Sequence, residues 1–71
     1  MATNEILNMQ VRLFRKFTQR HQLVPTEAIR LFDRFDILGF IAECYELLHV
    51  SGDESILDDV DSIMRNRGYQ I

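Results

Sequence analysis

Three polar side chains, Glu43, Glu46 and His49, interrupt the otherwise apolar stretch at residues 37–50 (ILGFIAECYELLHV). Their three-residue spacing aligns them in one narrow strip on a helix. Glu46 and His49 form Glu-x-x-His, the spacing with which helical bundles hold di-iron centres. Such a centre needs a second copy of the motif and further carboxylates, and the chain carries the motif once. The spacing therefore predicts a helical Glu46–His49 pair on a solvent or interface strip. Asp58, Asp59 and Asp61 form a second acidic group. On a helix Asp58 and Asp61 share a face while Asp59 points elsewhere. No loop alternates oxygen ligands before a closing Glu as a calcium-binding loop does. A solvated acidic face is the expectation. Cys44, the single cysteine, lies within the apolar stretch and reads as a small buried hydrophobe. There is no Gly-rich phosphate loop, nucleophile motif or Cys/His zinc spacing. The sequence argues against an enzyme, and no metal or cofactor is expected.

Charge is the other chemical resource. Residues 1–36 carry six Lys/Arg and four acids, a net +2, while residues 37–71 carry two Arg and seven acids, a net −5. The halves either complement each other, within one chain or across a dimer, or offer charged faces to a partner. Arg12, Lys16 and Arg20 recur every four residues and share one stripe of a helix. A solvated face, an anionic protein surface and nucleic acid are the readings of that stripe. Nucleic acid is the weakest of them, because the chain as a whole is acidic.

The elements that must position these groups are helical. Seventy-one residues make one small domain, residues 1–71, and 46% of them are apolar, five of them Phe. So much apolar surface in so short a chain, without disulfide or metal staples, predicts that part of it faces another chain. A first helix is expected over residues 4–21, capped by Thr3 or Asn4, with Ile6, Leu7, Val11, Leu13, Phe14 and Phe17 inward and Met9 off the centre. Pro25 suits the first position of a second helix running to residue 35, although Val24 is a poor side-chain cap. Thr26 is the substitute cap. His21 falls at a helix end, where an imidazolium is favourable. Asp36 is expected to cap the next helix, with Gly39 relieving the turn or admitting another backbone. Residues 38–50, with ten apolar positions over 37–50, form the expected buried central helix. At roughly 20 Å it is too short and too charged to span a membrane. Ser51 or Asp53 caps the last helix, residues 54–66, and Gly68 fits the position past its end. The fold class is thus all-α, a compact bundle of four short helices around the central one. Tyr69-Gln70-Ile71 is a tail free to dock or fray. The chain starts without a signal-peptide pattern and has one unpaired Cys, so a cytoplasmic location is expected.

From residue 31 to 64 the chain resembles a family of very short bacterial proteins known only as a domain of unknown function. The resemblance rests on Phe40-Ile41, Tyr45-Glu46, His49 and the run Asp58-Asp59-Val60-Asp61, in that order. The first helix matches the family's aromatic-rich one loosely. Val24 departs from the Ser or Thr more usual before the proline. The resemblance implies no catalytic residues. It implies genetic linkage to proteins resembling ADP-ribosyltransferases in a toxin–antitoxin-like arrangement. On that footing the expected function is a non-catalytic protein-binding module that neutralises or assists such a partner. Its candidate contacts are Arg12, Lys16, Arg20, Tyr45, Glu46, His49, Asp58, Asp59 and Asp61, with Asp53 and Glu54 in the same acidic surface. Alternatives are a self-associating structural homodimer and a nucleic-acid-binding autoregulator using the first helix.

Overall fold

The computed structural model describes residues 2–71, with side chains from Asn4 onward. Helix α1 spans Ala2–Arg20, α2 Pro25–Arg34, α3 Ile37–Glu43, α4 Tyr45–Leu48 and α5 Asp53–Asn66. The class is all-α, as the periodicity predicts. A radius of gyration of 11.5 Å is close to the roughly 11 Å of a well-packed chain of this length.

α1 begins before Asn4, so Asn4 lies inside the helix; the Thr3 side chain lies outside the described residues. The helix ends in a left-handed turn. Gln22 has φ 52°, and the Leu23 amide donates to the Thr18 carbonyl at 3.0 Å. This six-to-one bond satisfies a carbonyl at the helix end and reverses the chain. Val24 is extended (φ −77°, ψ 151°) and Pro25 opens α2. Proline's fixed φ suits that position, and no side-chain cap is made there, by Thr26 or any other residue. Phe17 and Phe14 meet Phe32, with ring centroids 5.1 and 5.3 Å apart, and Gln10 Nε2 donates to the Leu38 carbonyl at 2.9 Å. Partner numbers rise as α1 numbers fall, so the chain from α2 into α3 runs back along α1.

The central element differs most from expectation. It is broken at Cys44 (φ −99°, ψ 12°) into α3 and the four-residue α4. Neither Pro nor Gly stands at the break, and Cys44 is half-buried against the core. Ile37, Ile41 and Leu48 are buried, but Leu38, Leu47 and Val50 are exposed, the last two at 74% and 78%. An apolar surface over most of the circumference needs neighbours on several sides, and the three companions α1, α2 and α5 do not supply them all. Met9, placed off the centre by sequence, is instead in the core with Leu13 and Phe17.

Both expected carboxylate caps are also different. Asp36 sits in the left-handed region (φ 51°) without a side-chain cap bond. Its carboxylate folds over Gly39, where an added Cβ would lie 2.6 Å from an oxygen. The close neighbour is therefore a side chain, not another backbone. At the last helix Gly52 takes the cap position without a side-chain bond, and Asp53 bonds α1 instead. Ser51 Oγ donates back to the Leu47 carbonyl at 3.4 Å. Gly68 does close α5, with φ 89° and the Tyr69 amide donating to the Met64 carbonyl at 3.0 Å. The tail then docks. The Tyr69 ring lies 5.9 Å from Phe35, and the Arg34 guanidinium sits 5.0 Å over the Phe35 ring.

Gly39 gives the first test. The obstructing atoms are the free end of an exposed aspartate, which can rotate away, and alanine is favoured over glycine inside a helix by up to about 1 kcal/mol. Gly39→Ala is expected to stabilise the fold by about 0.5 kcal/mol, read from urea unfolding. A loss of stability would mean that the Asp36 carboxylate is held where it lies.

Candidate functional site

The regular spacing of Arg12, Lys16 and Arg20 places three cations along one edge of α1, and α5 lays its acids beside them. Arg12 Nε donates to Asp53 Oδ2 at 2.8 Å and its terminal nitrogen to Oδ1 at 3.1 Å. Lys16 Nζ lies 2.9 Å from the same carboxylate. Arg20 gathers three acids: Glu54 at 2.6 Å, Asp58 at 3.0 Å and Asp61 at 3.1 Å. His21 Nε2 lies 2.9 Å from the other oxygen of Asp61. Residue numbers rise together along the seam, so α1 and α5 run in the same general direction there. Asp61 is the buried charged residue of the described chain, at 6% exposure. A carboxylate so placed is tolerable because two ring or guanidinium nitrogens reach it.

These contacts shift the titrating groups in the direction that pairing requires. The Arg12 hydrogen bond, against some desolvation and helped by Lys16, holds Asp53 below the ordinary aspartate value of 3.8. Hydrogen bonding to Asp53 raises Arg12, and bonding first to Glu54, with Asp58 and Asp61, raises Arg20. Of the sequence candidates, Arg20 thus meets Asp58 and Asp61, while Arg12 and Lys16 meet Asp53. Complementary halves are realised within the chain. Asp59 is exposed, and among the described residues no ion pair reaches it.

The second candidate group lies at α4. The Tyr45 hydroxyl donates to Glu5 Oε2 at 2.9 Å, clasping the start of α1. That bond, with burial as a lesser cause, raises the phenol above its ordinary value. The His49 ring stacks on Tyr45, centroids 5.3 Å apart and planes at 13°, with Nδ1 3.2 Å from the Tyr45 carbonyl. His49 therefore pairs with Tyr45, where the sequence spacing pointed to Glu46, which is exposed. Among the described residues no three His, Cys, Asp or Glu side chains gather as metal ligands would. No described helix is long and apolar enough to cross a membrane.

A third feature corrects the sequence reading, which expected Leu7 and Val11 to face inward with the rest of the α1 apolar face. Leu7 and Val11 of α1, Ile29 of α2 and Leu38 of α3 are large apolar side chains, between 46% and 60% exposed. All four line one groove of about 520 Å³, floored by Phe14 and Phe32. The signal was present in α1. Met9, Leu13 and Phe17 form one apolar stripe, and Leu7, Val11 and Phe14 form another, rotated by roughly 120° at 3.6 residues per turn. One neighbouring helix cannot cover both. Arg30, Asp33 and Asp36 also line the groove. Among the described residues, none of the three carries an ion pair within the chain.

A model of a protein family of unknown function, DUF3791, matches residues 8–67. The chain belongs to the DUF3791 family. No curated protein and no solved structure matches it. The matched span of this DUF3791 chain contains the groove apart from Leu7, and the α1–α5 seam complete.

Two outcomes follow from the seam. Asp61→Asn removes the charge that faces Arg20 and His21, and is expected to destabilise the protein by about 2 kcal/mol in denaturant unfolding; Asp59→Asn serves as the exposed control and should change little. Asp53 has a folded pKa below its unfolded one, so its contribution is complete above the unfolded value and is lost as pH falls through the folded value. Melting followed from neutral pH to below pH 3.8 should show a decline that Asp53→Asn reduces.

Proposed function

We propose that this DUF3791 chain is a non-catalytic protein-binding module whose contact face is the groove between α1, α2 and α3. The observation that carries the reading is the gathering of Leu7, Val11, Ile29 and Leu38 around one concavity. Exposed apolar side chains scattered singly need no explanation, but a contiguous patch favours a partner. The charged surfaces that the sequence offered are weaker candidates, because Arg12, Lys16 and Arg20 are occupied by acids of α5. The same pairing lowers the attraction of α1 for nucleic acid, since phosphate binding depends on unneutralised Lys and Arg.

The partner to test first is the one that the resemblance implies: an ADP-ribosyltransferase-like toxin encoded beside this chain in a bacterial cytoplasm, which the module neutralises. Apolar side chains that enter a partner's pocket carry most of the binding energy, and a charge placed among them is strongly unfavourable. Co-expression of the two proteins should relieve the toxin's effect on growth and give a complex that co-purifies in fixed ratio. Val11→Glu, at an exposed position that should leave the fold intact, is expected to weaken the complex by at least about 2 kcal/mol by titration calorimetry. Proteins that purify apart, or a complex indifferent to Val11→Glu, would overturn the assignment of the groove.

A further inference from the structure

The charges of the groove are confined to one of its sides. Arg30 and Asp33 belong to α2, and Asp36 to the joint between α2 and α3. The α1 side contributes Leu7, Gln10, Val11 and Phe14, and no ionised group. The three charged side chains are exposed. Among the described residues none of them is paired within the chain, unlike the cations that α1 turns toward α5. Two carboxylates against one guanidinium leave that side net negative. Asp36 adds a detail of geometry. Its carboxylate oxygens lie 2.6 Å from where a Cβ on Gly39 would stand. The one residue of α3 without a side chain is thus the one that leaves room for this carboxylate.

An occupant of the groove has to satisfy both sides at once. Against α1 and the phenyl floor it must present apolar side chains. Against the α2 side it must bring cations, or Asp33 and Asp36 lose water without compensation. An amphipathic helix carries both, because a polar flank borders its apolar stripe. The exposure of the apolar walls makes the groove an open trough, whereas a small-molecule site buries most of its ligand. All described elements are helices, so no strand edge is offered for an extended peptide to join. A helix laid between helices is the recognition mode that such a trough fits. The net charge of −3 draws a cationic segment toward the chain from a distance.

We infer that the groove takes an amphipathic helix of the partner protein whose apolar stripe is bordered, on the flank facing α2, by Lys or Arg. This rests on the reading of the groove as the contact face, and adds the chemistry of the segment that fills it. An acidic helix would seat its apolar stripe equally well and leave Asp33 and Asp36 facing like charge.

The test uses the full chain and two dye-labelled synthetic helices of about 16 residues. Both carry Leu at the spacing of one helical face. One has Lys on the two flanks of that face and the other has Glu, so either direction of binding brings the chosen charge to α2. In fluorescence anisotropy at low salt the Lys peptide is expected to bind about tenfold tighter than the Glu peptide, with a gap that narrows as salt is raised. Asp33→Lys combined with Asp36→Lys should reverse the preference. Glu43→Lys combined with Asp59→Lys makes the same change of net charge at exposed positions outside the groove, and should leave the Lys peptide preferred. Val11→Glu should weaken both peptides. All variants are expected to keep helical circular dichroism and a cooperative melt. A Lys peptide that does not bind, equal affinity for the two peptides, or a preference for Glu overturns the inference. So does a preference shifted as much by the Glu43/Asp59 pair as by the Asp33/Asp36 pair. The two readings fail separately. Peptides bound alike, and both weakened by Val11→Glu, remove the cationic flank and leave the groove as a contact face. A toxin complex indifferent to Val11→Glu removes the groove from that complex, whatever the peptides do.

Discussion

The fold turns on one buried carboxylate. Asp61 lies among Val60, Leu57 and Met64 on the face of α5 that meets the core. A lone charge there would cost more than a small domain can spare. Arg20 and His21, at the very end of α1, supply the compensation. Because they are adjacent in sequence and meet different oxygens of Asp61, they fix both the position and the rotation of α1 relative to α5. The upper pairs, Arg12 and Lys16 on Asp53, then fall into register two and one helical turns back from Arg20. These outer pairs are solvated and individually weak. Their role is to continue an alignment that the buried pair sets.

With α5 fixed on one edge of α1 and α2 folded along another, the remaining arc of α1 has no neighbour. Phe17 and Leu13 are fully buried while Leu7 and Val11, a third of a turn around, remain open. The groove is thus a geometric consequence of the seam. The same helix that is electrostatically satisfied on one side is left apolar and uncovered on another. A chain of 71 residues has too few elements to cover every apolar stripe it carries, and a contact face can form without any departure from ordinary packing.

Much of this was legible. The class, the limits of α1, α2 and α5 to within a few residues, Pro25 at a helix start and Gly68 past a helix end all follow from periodicity and from backbone restrictions local to one residue. The charge split between halves was readable as complementarity. What sequence could not choose was whether that complementarity closes within the chain. That depends on the direction in which α5 returns along α1, a tertiary fact. Asp53 illustrates the point: at a helix start it is a credible cap, and only the approach of Arg12 and Lys16 shows why its carboxylate is engaged elsewhere. The broken central helix was illegible for another reason. Cys44 carries no local breaker chemistry, and residues 37–50 are apolar around so much of the circumference that periodicity could not say which sides go without neighbours.

The Tyr45–Glu5 hydrogen bond has a spectroscopic consequence. The chain has two tyrosines and no tryptophan, so its ultraviolet emission comes from phenol rings alone. Each ring stands at a different joint. Tyr45 closes α4 against the start of α1, and Tyr69 closes the tail against Phe35 and Arg34. The protein therefore carries two intrinsic optical reporters, one whose phenol is bonded to a carboxylate and one whose ring lies beneath a guanidinium. Removing either tyrosine leaves the other as the sole emitter, a gauge of its own joint with no label attached.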